Sequence, residues 1–251
     1  MLEITDHGPV REIRLARPPV NALSPELLAA LLSAVQAAPR EGAKALVLSG
    51  PPGRFSAGLD VPLLLTLDRS ALTALWESLY GLMRSLAGSP IPVVAAITGH
   101  SPAGGAVMAI FCDRRVMAEG PFVIGLNEVP VGLALPPVIA RRLAQLVGHR
   151  TAVRLATEGQ LLPSAEACAV GLVDALAPPE QVVPAAIAWC ESVLALPSHA
   201  YRATRELFQR EVLAVFDQNP AELAGVTEMW FSAETQAALK QLVARLQQKK
   251  G

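Results

Sequence analysis

The sequence predicts an α/β fold, because short apolar segments alternate with helical patterns through its first two thirds. The apolar segments are bounded by Gly, Pro, Asn and Asp, as strands usually are, and helical segments with apolar residues every three to four positions lie between them. From about residue 180 onward the pattern is almost entirely helical. No Gly/Ser-rich linker divides the chain into independent domains. We therefore predict one core at residues 1–190, to which a helical region at residues 191–251 is appended.

The predicted elements begin with two strands and a capped helix. The strands cover residues 2–5 and 10–15, on either side of a turn at residues 6–9. Ser24 suits the N-cap position of a helix, Pro25 the first helical position, and Glu26 the first turn. The helix that starts there has one apolar face, formed by Leu27, Leu28, Leu31, Leu32 and Val35. A buried strand is predicted next, at residues 44–48.

Helices and strands continue to alternate further along the chain. The predicted helices cover residues 71–86, 104–111, 137–147, 151–157 and 164–170. The predicted strands cover residues 92–98, 114–118, 122–124 and 172–174. In the helix at residues 164–170, Ser164 is predicted to be the N-cap and Gly171 to end the helix.

The composition excludes several classes of protein. Hydrophobic residues make up 52% of the chain and charged residues 17%, which predicts a substantial core and argues against disorder. A net charge of −1 without a basic stripe argues against a nucleic-acid partner. Cys112, Cys168 and Cys190 lie far apart, so we expect neither a zinc site nor a disulfide framework, and a reducing compartment fits. The four histidines also lack metal-ligand spacing, and we predict no metal site.

We expect neither a signal peptide nor a membrane partner. The chain begins almost at once with a strand-like segment, without the charged and apolar regions of a signal peptide. Its most apolar stretch, residues 91–112, is interrupted at residues 98–102 by polar residues, Gly and Pro, which makes it a poor candidate for a membrane span.

The first candidate for a functional segment is the loop at residues 99–105, which follows a predicted strand and leads into a helix. The first N–H groups of a helix have no partner inside it, so they can bind a negatively charged oxygen. Gly104 would also let a ligand approach the backbone closely. The alternative is that Ala103, Gly104 and Gly105 only permit tight packing of the helix on the strand.

A second small-residue loop, at residues 55–60, follows a strand in the same way. Here Ala57 could offer another backbone N–H, with Gly58 providing clearance, although a plain turn is the simpler interpretation. Two such loops, each leaving a buried strand, could together form an oxyanion hole, that is, a pair of N–H donors for a developing negative charge.

Glu128 is the most specific single residue of the chain. It lies in an apolar segment, residues 124–132. A carboxylate in apolar surroundings tends to have a raised pKa, which suits a general base near neutral pH. The alternative is an exposed glutamate in a turn, as most glutamates are. Two loops with backbone donors and one partly buried carboxylate are what proton transfer next to a thioester carbonyl requires.

Other polar residues have simpler interpretations. Asp60 and Asp113 are predicted to cap or orient loops. Arg114 and Arg115 could pair with acids or with phosphate, and a position at the surface is the favoured interpretation. His100 lies in the loop at residues 99–105 and could touch a ligand, with packing or exposure as the alternative. The chain has no G-x-S-x-G, G-x-G-x-x-G or Walker pattern, so the activities that depend on these patterns are not indicated.

With these motifs, the chain resembles the enoyl-CoA hydratase/isomerase (crotonase) superfamily over essentially its whole length. The resemblance rests on residues 55–60, on Ala103-Gly104-Gly105 followed by Cys112-Asp113, on residues 148–150 and on residues 165–174. It implies a spiral of repeated ββα units with a C-terminal helical layer that completes the cleft and forms oligomer contacts. It also implies that the N–H groups of Ala57 and Gly104 bind a thioester oxygen.

Within the superfamily, the number of carboxylates distinguishes two reactions. Hydratases are similar here but have two glutamates, and the first of these positions falls on Val107 in this chain, whereas the second falls on Glu128. A single glutamate looks closest to the Δ3,Δ2-enoyl-CoA isomerases of the mitochondrial type. The resemblance therefore implies that Glu128 alone moves a proton from C2 to C4, which converts 3-enoyl-CoA into trans-2-enoyl-CoA during β-oxidation of unsaturated fatty acids.

The resemblance further implies how an acyl-CoA thioester is bound. The expected contacts to the CoA moiety, the thioester and the acyl end come from Ser56, Ala57, Gly58, Leu59, Asp60, Gly104, Leu126 and Asn127. Residues 62–67 and 133–138 are expected to line the acyl pocket. No metal or redox cofactor would be needed. A homotrimer or a dimer of trimers is expected, in the bacterial cytoplasm or the mitochondrial matrix.

Two other functions stay open from the sequence. One is another CoA thioester reaction on the same fold, either hydration or hydrolysis, with water activated by Glu128 alone or with help from His100. The other is a non-catalytic acyl-CoA-binding protein, against which the retention of a carboxylate in an apolar segment argues.

Overall fold

Strands of this chain form two sheets. The computed structural model describes residues 1–217 and 222–248, and ten strands lie within them. A six-stranded sheet has the order β1-β2-β3-β5-β7-β10, built from Leu2–His7, Val10–Leu15, Ala45–Ser49, Val93–Ile97, Arg114–Ala118 and Ala175–Ala177. A four-stranded sheet has the order β4-β6-β8-β9, built from Gly53–Arg54, Gly99–Pro102, Val123–Gly125 and Leu162–Pro163.

Helices cover these sheets and form the C-terminal third. The helices α1 to α8 are Pro25–Ala37, Val61–Leu64, Arg69–Ala87, Gly104–Ile110, Pro137–Val147, His149–Glu158, Ser164–Ala169 and Val182–Leu194. The last three described helices, α9 to α11, are Ser198–Asp217, Glu222–Trp230 and Ala233–Gln248. Short 3₁₀ helices cover Val129–Val131 and Pro179–Gln181. The Ser24 hydroxyl accepts a hydrogen bond from the Leu27 N–H, which confirms the predicted cap of α1.

The two sheets are linked by a repeated ββα unit. In each repeat the first strand enters the six-stranded sheet and the second enters the four-stranded sheet, and a helix follows. β3 and β4 precede α3, β5 and β6 precede α4, and β7 and β8 precede α5. The first strands pair in parallel with one another, and so do the second strands, so each repeat advances the chain by one position in both sheets. This arrangement confirms the predicted α/β spiral.

Both faces of the central strands β3 and β5 are buried, and all of their residues except Ser49 are apolar, as is typical of strands covered on both sides. On one face, alternate residues of the sheet such as Val47 and Val94 pack with α8, which contributes Cys190. On the other face, Leu46, Leu48, Val93 and Ile97 join the main core under α1, α3 and α4. Trp230 and Leu239 of the C-terminal helices belong to that same core. The predicted boundary after residue 190 falls inside α8, and the division of roles between the two parts stays a prediction.

Two local predictions are wrong, and in both the side chain forms a hydrogen bond with a distant part of the chain. The hydroxyl of Ser164 donates to the carbonyl oxygen of Gly120 at 3.2 Å, so it does not cap α7, whose N-cap is Pro163. The strand predicted at residues 172–174 is observed three residues later, as β10. Asp174 instead lies in the loop before β10, where its carboxylate accepts the Arg115 backbone N–H at 2.7 Å.

Arg115 is buried and paired with an acid, which was the alternative to the favoured position at the surface. The Arg115 side chain donates to the carboxylate of Asp174 at 2.9 Å and to the carbonyl of Cys112 at 3.0 Å. Only 2% of the residue is exposed. Arg114 lies over the ring of Trp189 at 5.7 Å. A charge can be buried in this way because hydrogen bonds and an opposite charge replace its water.

Among the described residues, no single helix is long and apolar enough to cross a membrane. One bent pair, Pro179–Leu194 with Ser198–Asp217 at an angle of 112°, passes the same test by length and composition.

Candidate active site

Close contacts bring together the loop at residues 55–60 and the junction between β6 and α4. Residues 99–105 were predicted to be a loop, but Gly99–Pro102 form β6 and α4 begins at Gly104, so only Ala103 lies between them. A Cβ atom added to Gly58 would lie 2.9 Å from Cβ of Ala103 and 3.2 Å from the Gly104 nitrogen. A Cβ atom on Gly105 would lie 2.9 Å from the Ser56 carbonyl oxygen. Only glycine permits these approaches, so the two segments meet because each provides a residue without a side chain.

The segment that carries Glu128 joins the same place through the four-stranded sheet. β6 pairs with β8 in parallel, with Ser101 beside Ile124 and Pro102 beside Gly125. The Ala103 N–H then donates to the Gly125 carbonyl at 2.8 Å. Ala103 itself has a φ of +47°, a conformation that costs a non-glycine residue free energy. This strained residue directly precedes Gly104, the first residue of α4, and it is a feature of the site that the sequence analysis missed.

The N–H groups at this junction differ in whether they already have an acceptor. The Ala57 N–H donates to the Val20 carbonyl at 3.0 Å, and the Gly58 N–H donates to the Ser56 hydroxyl at 3.2 Å. The N–H groups of Leu59 and Gly104, in contrast, have no acceptor within residues 1–217 and 222–248. Ala57 is therefore not the free donor that the sequence analysis expected, and Leu59 and Gly104 are the available pair.

The local backbone explains why the available donor is Leu59. Leu23 and Leu59 form an isolated parallel bridge, in which the Leu23 N–H donates to the Gly58 carbonyl and the Asp60 N–H donates to the Leu23 carbonyl. These bonds occupy the groups on either side of Leu59, so its own N–H points away from Leu23. The segment that approaches Ala57 lies more than thirty residues earlier in the chain, so no local pattern could have revealed that contact.

Glu128 follows β8 and precedes the 3₁₀ helix Val129–Val131. The residue is half-buried, and its carboxylate atom Oε2 is buried without a hydrogen-bond partner among the described residues. Burial raises the pKa of Glu128 from 4.5 to about 7, against a smaller lowering by a hydrogen bond from its own backbone. The predicted raised pKa is confirmed, and its cause is the loss of water around the carboxylate.

These groups border a cavity of about 760 Å³. Ala57, Leu59, Gly104, Val107 and Glu128 all line it. The remaining wall is largely apolar and includes Trp76, Leu79, Val226, Trp230, Leu239, Leu242 and Leu246. A carboxylate, two unpaired backbone donors and an apolar wall form a site that can bind a carbonyl compound with an apolar chain and move a proton next to its carbonyl.

Comparisons with known proteins agree with this chemistry. A sequence model of the enoyl-CoA hydratase/isomerase family matches residues 5–248. The chain belongs to that family. It is 32% identical to human mitochondrial enoyl-CoA delta isomerase 1, over 96% of this chain and 82% of the human protein. The crystal structure of human mitochondrial delta3-delta2-enoyl-CoA isomerase superposes with a TM-score of 0.94 and 31% identity, covering 100% of this chain and 99% of that one.

The family includes relatives with another name. A probable enoyl-CoA hydratase, echA17 of Mycobacterium avium, is 32% identical over 83% of this chain and 79% of its own length. Membership of the enoyl-CoA hydratase/isomerase family implies an acyl-CoA substrate, and both isomerase and hydratase names occur among the relatives.

Five of the eight residues that were expected to contact an acyl-CoA substrate line the cavity, and three do not. Ala57, Leu59, Asp60, Gly104 and Asn127 line the cavity, as does Glu128. The other three expected residues, Ser56, Gly58 and Leu126, are not part of its lining.

Each of these three has a structural role that explains its position. The Ser56 hydroxyl donates to the Asn21 carbonyl at 2.8 Å, and Gly58 packs against Ala103. Leu126 is 3% exposed and packs in the main core. None of the three lines the cavity, because neighbours in a loop face different sides, and their contact with the substrate stays a prediction.

The predicted acyl wall is also only partly right. The apolar helix expected at residues 62–67 is observed as Val61–Leu64, and of it Val61 and Pro62 line the cavity. From residues 133–138, the lining residues are Leu133, Ala134 and Pro136. Sequence reasoning missed the contributions of α3, α10 and α11, since they come from distant parts of the chain and have ordinary helical patterns.

An ion pair lies in the cavity lining. Nη2 of Arg17 is 2.7 Å from Oδ2 of Asp60, while Oδ1 of Asp60 accepts the Leu63 N–H at 3.3 Å and caps α2. The predicted capping role of Asp60 is confirmed. Because both oxygens are engaged, Asp60 does not present a second free carboxylate beside Glu128.

His100 lies outside the cavity lining. Its Nδ1 atom accepts the Val123 N–H at 3.3 Å, and its ring contacts Phe122 edge-on. This geometry favours the packing role over contact with a ligand. No three His, Cys, Asp or Glu side chains are placed to share a metal ion within residues 1–217 and 222–248, and the predicted lack of a metal site stays a prediction.

Proposed function

We propose that this protein is a Δ3,Δ2-enoyl-CoA isomerase that converts 3-enoyl-CoA into trans-2-enoyl-CoA in the breakdown of unsaturated fatty acids. The observation that carries the proposal is one free carboxylate, Glu128, with a pKa of about 7, in a cavity that Val107 also lines. The resemblance to hydratases implies that their second glutamate would fall on Val107. An allylic shift needs one base that removes a proton and returns it two carbons away, whereas hydration needs water held between two groups.

The proposed reaction is a balanced transfer of one proton. Glu128 removes a proton from C2 of the substrate, and the electrons of that C–H bond delocalise into the thioester carbonyl and the C3–C4 double bond. The resulting dienolate oxygen accepts hydrogen bonds from the N–H groups of Leu59 and Gly104. The protonated Glu128 then returns the proton to C4, which leaves the double bond between C2 and C3.

In this proposal the dienolate oxygen is stabilised by two individual N–H groups and not by a helix dipole. α4 is only seven residues long, so its dipole contributes less than the direct hydrogen bond from Gly104. Removing one donor of an oxyanion hole typically costs about 10²–10³ in rate. The proton transfer uses no electron acceptor and no Lewis acid, so we propose that the enzyme needs no cofactor.

A paired assay tests the reaction. Purified protein is given 3-hexenoyl-CoA and crotonyl-CoA, with 2-enoyl product measured in the first case and 3-hydroxyacyl product in the second. We expect fast isomerisation and little hydration. We expect Glu128→Gln to lower isomerisation by about 10²–10⁴. A Gln variant that turns over normally would exclude Glu128 as the base.

Hydration is the second candidate, and the name of the mycobacterial relative favours it. The matched variant is Val107→Glu, which adds a carboxylate in the cavity wall. If Glu128 works alone because its partner is missing, this variant should gain hydration of crotonyl-CoA. Dominant hydration by the unchanged protein would instead mean that another group replaces the second carboxylate.

We further propose that the chain assembles as a trimer or a dimer of trimers. Leu207 and Phe208, neighbours on α9, are 59% and 68% exposed, and two adjacent large apolar residues at the surface support a covered face there. Sedimentation equilibrium measures the mass of the assembly. A monomer at micromolar concentration would contradict this part of the proposal.

A further inference from the structure

The backbone that carries Glu128 is folded into a tight turn. The Glu128 carbonyl accepts the N–H groups of Val131 at 3.0 Å and Leu133 at 3.1 Å, and the Val129 carbonyl accepts the Gly132 N–H at 2.9 Å. Since Oε2 of Glu128 has no hydrogen-bond partner among the described residues, no bond to that atom fixes its direction. The position of the carboxylate therefore depends on what holds residues 128–133, which we call the Glu128 turn.

The first turn of α11 is bonded to the Glu128 turn. The hydroxyl of Thr235 donates to the Gly132 carbonyl at 2.6 Å. The same hydroxyl oxygen accepts a hydrogen bond from the Ser232 hydroxyl at 3.0 Å, while the Thr235 N–H donates to Ser232 at 3.2 Å. Thr235 is 1% exposed. This chain of bonds fixes the rotamer of Thr235 and anchors the Glu128 turn to the start of a helix.

The close approach of the Glu128 turn to α11 also requires glycine at position 132. Gly132 has a φ of +77°, and a Cβ atom there would lie 3.0 Å from Cα of Thr235. A second hydrogen bond connects the residue after the Glu128 turn to α10, since the Ala134 N–H donates to the sulfur of Met229 at 3.1 Å. The C-terminal helices thus contact the Glu128 turn as well as the apolar wall of the cavity.

We propose that Thr235 is a positioning residue for Glu128, which sets the direction and burial of the carboxylate through Gly132. The proposal rests on the proposed function, in which Glu128 is the base. Thr235 is not part of the cavity lining and does not touch the substrate, so it acts only through the Glu128 turn.

The test compares Thr235→Val with Thr235→Ser in the full chain. Valine keeps the volume but loses the hydroxyl, whereas serine keeps the hydroxyl. We expect Thr235→Val to lower kcat for 3-hexenoyl-CoA about tenfold with little change in KM. We expect the apparent pKa in the pH profile of kcat/KM to fall below that of the native enzyme, because a looser turn admits water to the carboxylate. Thr235→Ser should restore kcat to within about twofold.

Thr227→Val is the matched control. Thr227 is also a buried threonine of the C-terminal helices, 3% exposed, but its hydroxyl donates to the Leu223 carbonyl within α10 and lies outside the cavity lining. It should lower stability to a similar extent while leaving kcat and the pH profile unchanged. If both variants have the same kcat and the same profile, Thr235 is only structural and the proposal is wrong.

Hydrogen exchange gives a readout without turnover. We expect faster exchange of the Val131, Gly132 and Leu133 amides in Thr235→Val than in Thr227→Val. If Thr235→Val does not fold, Thr235→Ala is measured in the same way. Failure of the proposed function is distinguishable, because it would appear as normal turnover in Glu128→Gln, whatever the Thr235 variants do.

Discussion

Glu128 lies in a cavity that strongly disfavours its charged form. Few polar groups surround its carboxylate, and the resulting pKa of about 7 means that the base and acid forms are both populated near neutral pH. A group that must take up and release one proton in each cycle works best when its pKa is near the working pH. The same burial that prepares the residue for proton transfer must then destabilise the folded protein when the carboxylate is ionised.

This cost predicts a pH-dependent gain in stability for Glu128→Gln. The pKa of Glu128 is about 7 in the folded protein and 4.5 as its ordinary value, so between these pH values the folded state holds a proton that the unfolded state releases. The free energy of unfolding of the native protein should therefore fall as pH rises through this window. Glutamine does not ionise, so the stability of the variant lacks this pH dependence. The variant should match the native protein in stability at pH 4.5 and exceed it by on the order of 3 kcal/mol at pH 8.

Urea unfolding at several pH values measures this difference. A stability difference that is the same at pH 4.5 and pH 8 would contradict the raised pKa. The measurement needs no substrate, so it tests the environment of Glu128 separately from the reaction.

At the scale of elements, one arginine of α9 connects the C-terminal helices to the start of β5. The Arg205 guanidinium bonds both oxygens of Asp113 at 2.7 Å and the Ile91 carbonyl at 3.1 Å. Asp113 in turn accepts the Val93 N–H at 2.7 Å, which confirms its predicted role in orienting a loop. Only 9% of the Arg205 side chain is exposed, so removing it would leave buried acceptors without a partner.

We expect Arg205→Met to lower the free energy of unfolding by about 3 kcal/mol, because it leaves Asp113 partly buried without its opposite charge. The control is Arg202→Met on the same helix, since Arg202 is exposed and has no ion pair among the described residues. It should change stability by less than about 0.5 kcal/mol. Equal effects of the two variants in urea unfolding would show that the Asp113 contact adds nothing.

At the scale of the whole molecule, the cavity is shared between the spiral core and the C-terminal helices. The core provides Leu59, Gly104 and Glu128, whereas α11 provides Leu239, Leu242, Val243 and Leu246. These α11 residues recur every three to four positions, so they form one stripe along the helix. Their exposure rises from 0% at Leu239 to 46% at Leu246, so the stripe leads from the interior to the surface.

An apolar stripe of this length can pack against a long acyl chain. Leu242→Glu tests whether the acyl chain lies along it. A charge on this half-buried wall should raise KM for 3-dodecenoyl-CoA roughly tenfold, while 3-hexenoyl-CoA should be affected less than about threefold, since a short chain buries fewer methylenes. Lys240→Glu, an exposed change on the same helix, is the control and should leave both KM values unchanged. Equal increases for both substrates would place the acyl chain elsewhere.

Much of the local structure is predictable from residues that are close in sequence. Helix α5 is observed at its predicted bounds, and the Ser24 cap is confirmed, because both depend on contacts within one or two turns. The raised pKa of Glu128 was predicted from its apolar segment, but Val129 beside it is 44% exposed, so adjacent residues alone do not bury the carboxylate.

Other features depend on segments that meet only when the chain folds. Whether Ala57 or Leu59 has a free N–H depends on the approach of Val20, and the burial of Arg115 depends on Asp174. The acyl-side wall depends on α10 and α11, and the direction of Glu128 depends on Thr235.

From the sequence alone, periodicity and capping determined the α/β class, because both are local properties of the chain, and the resemblance of its motifs implied the spiral, the family and the role of Glu128. Only the tertiary structure decided which backbone donors are free, which side chains face the cavity and what holds Glu128 in place. Hydrogen bonds between residues a hundred positions apart, such as that from Thr235 to Gly132, leave no periodic signal in either segment.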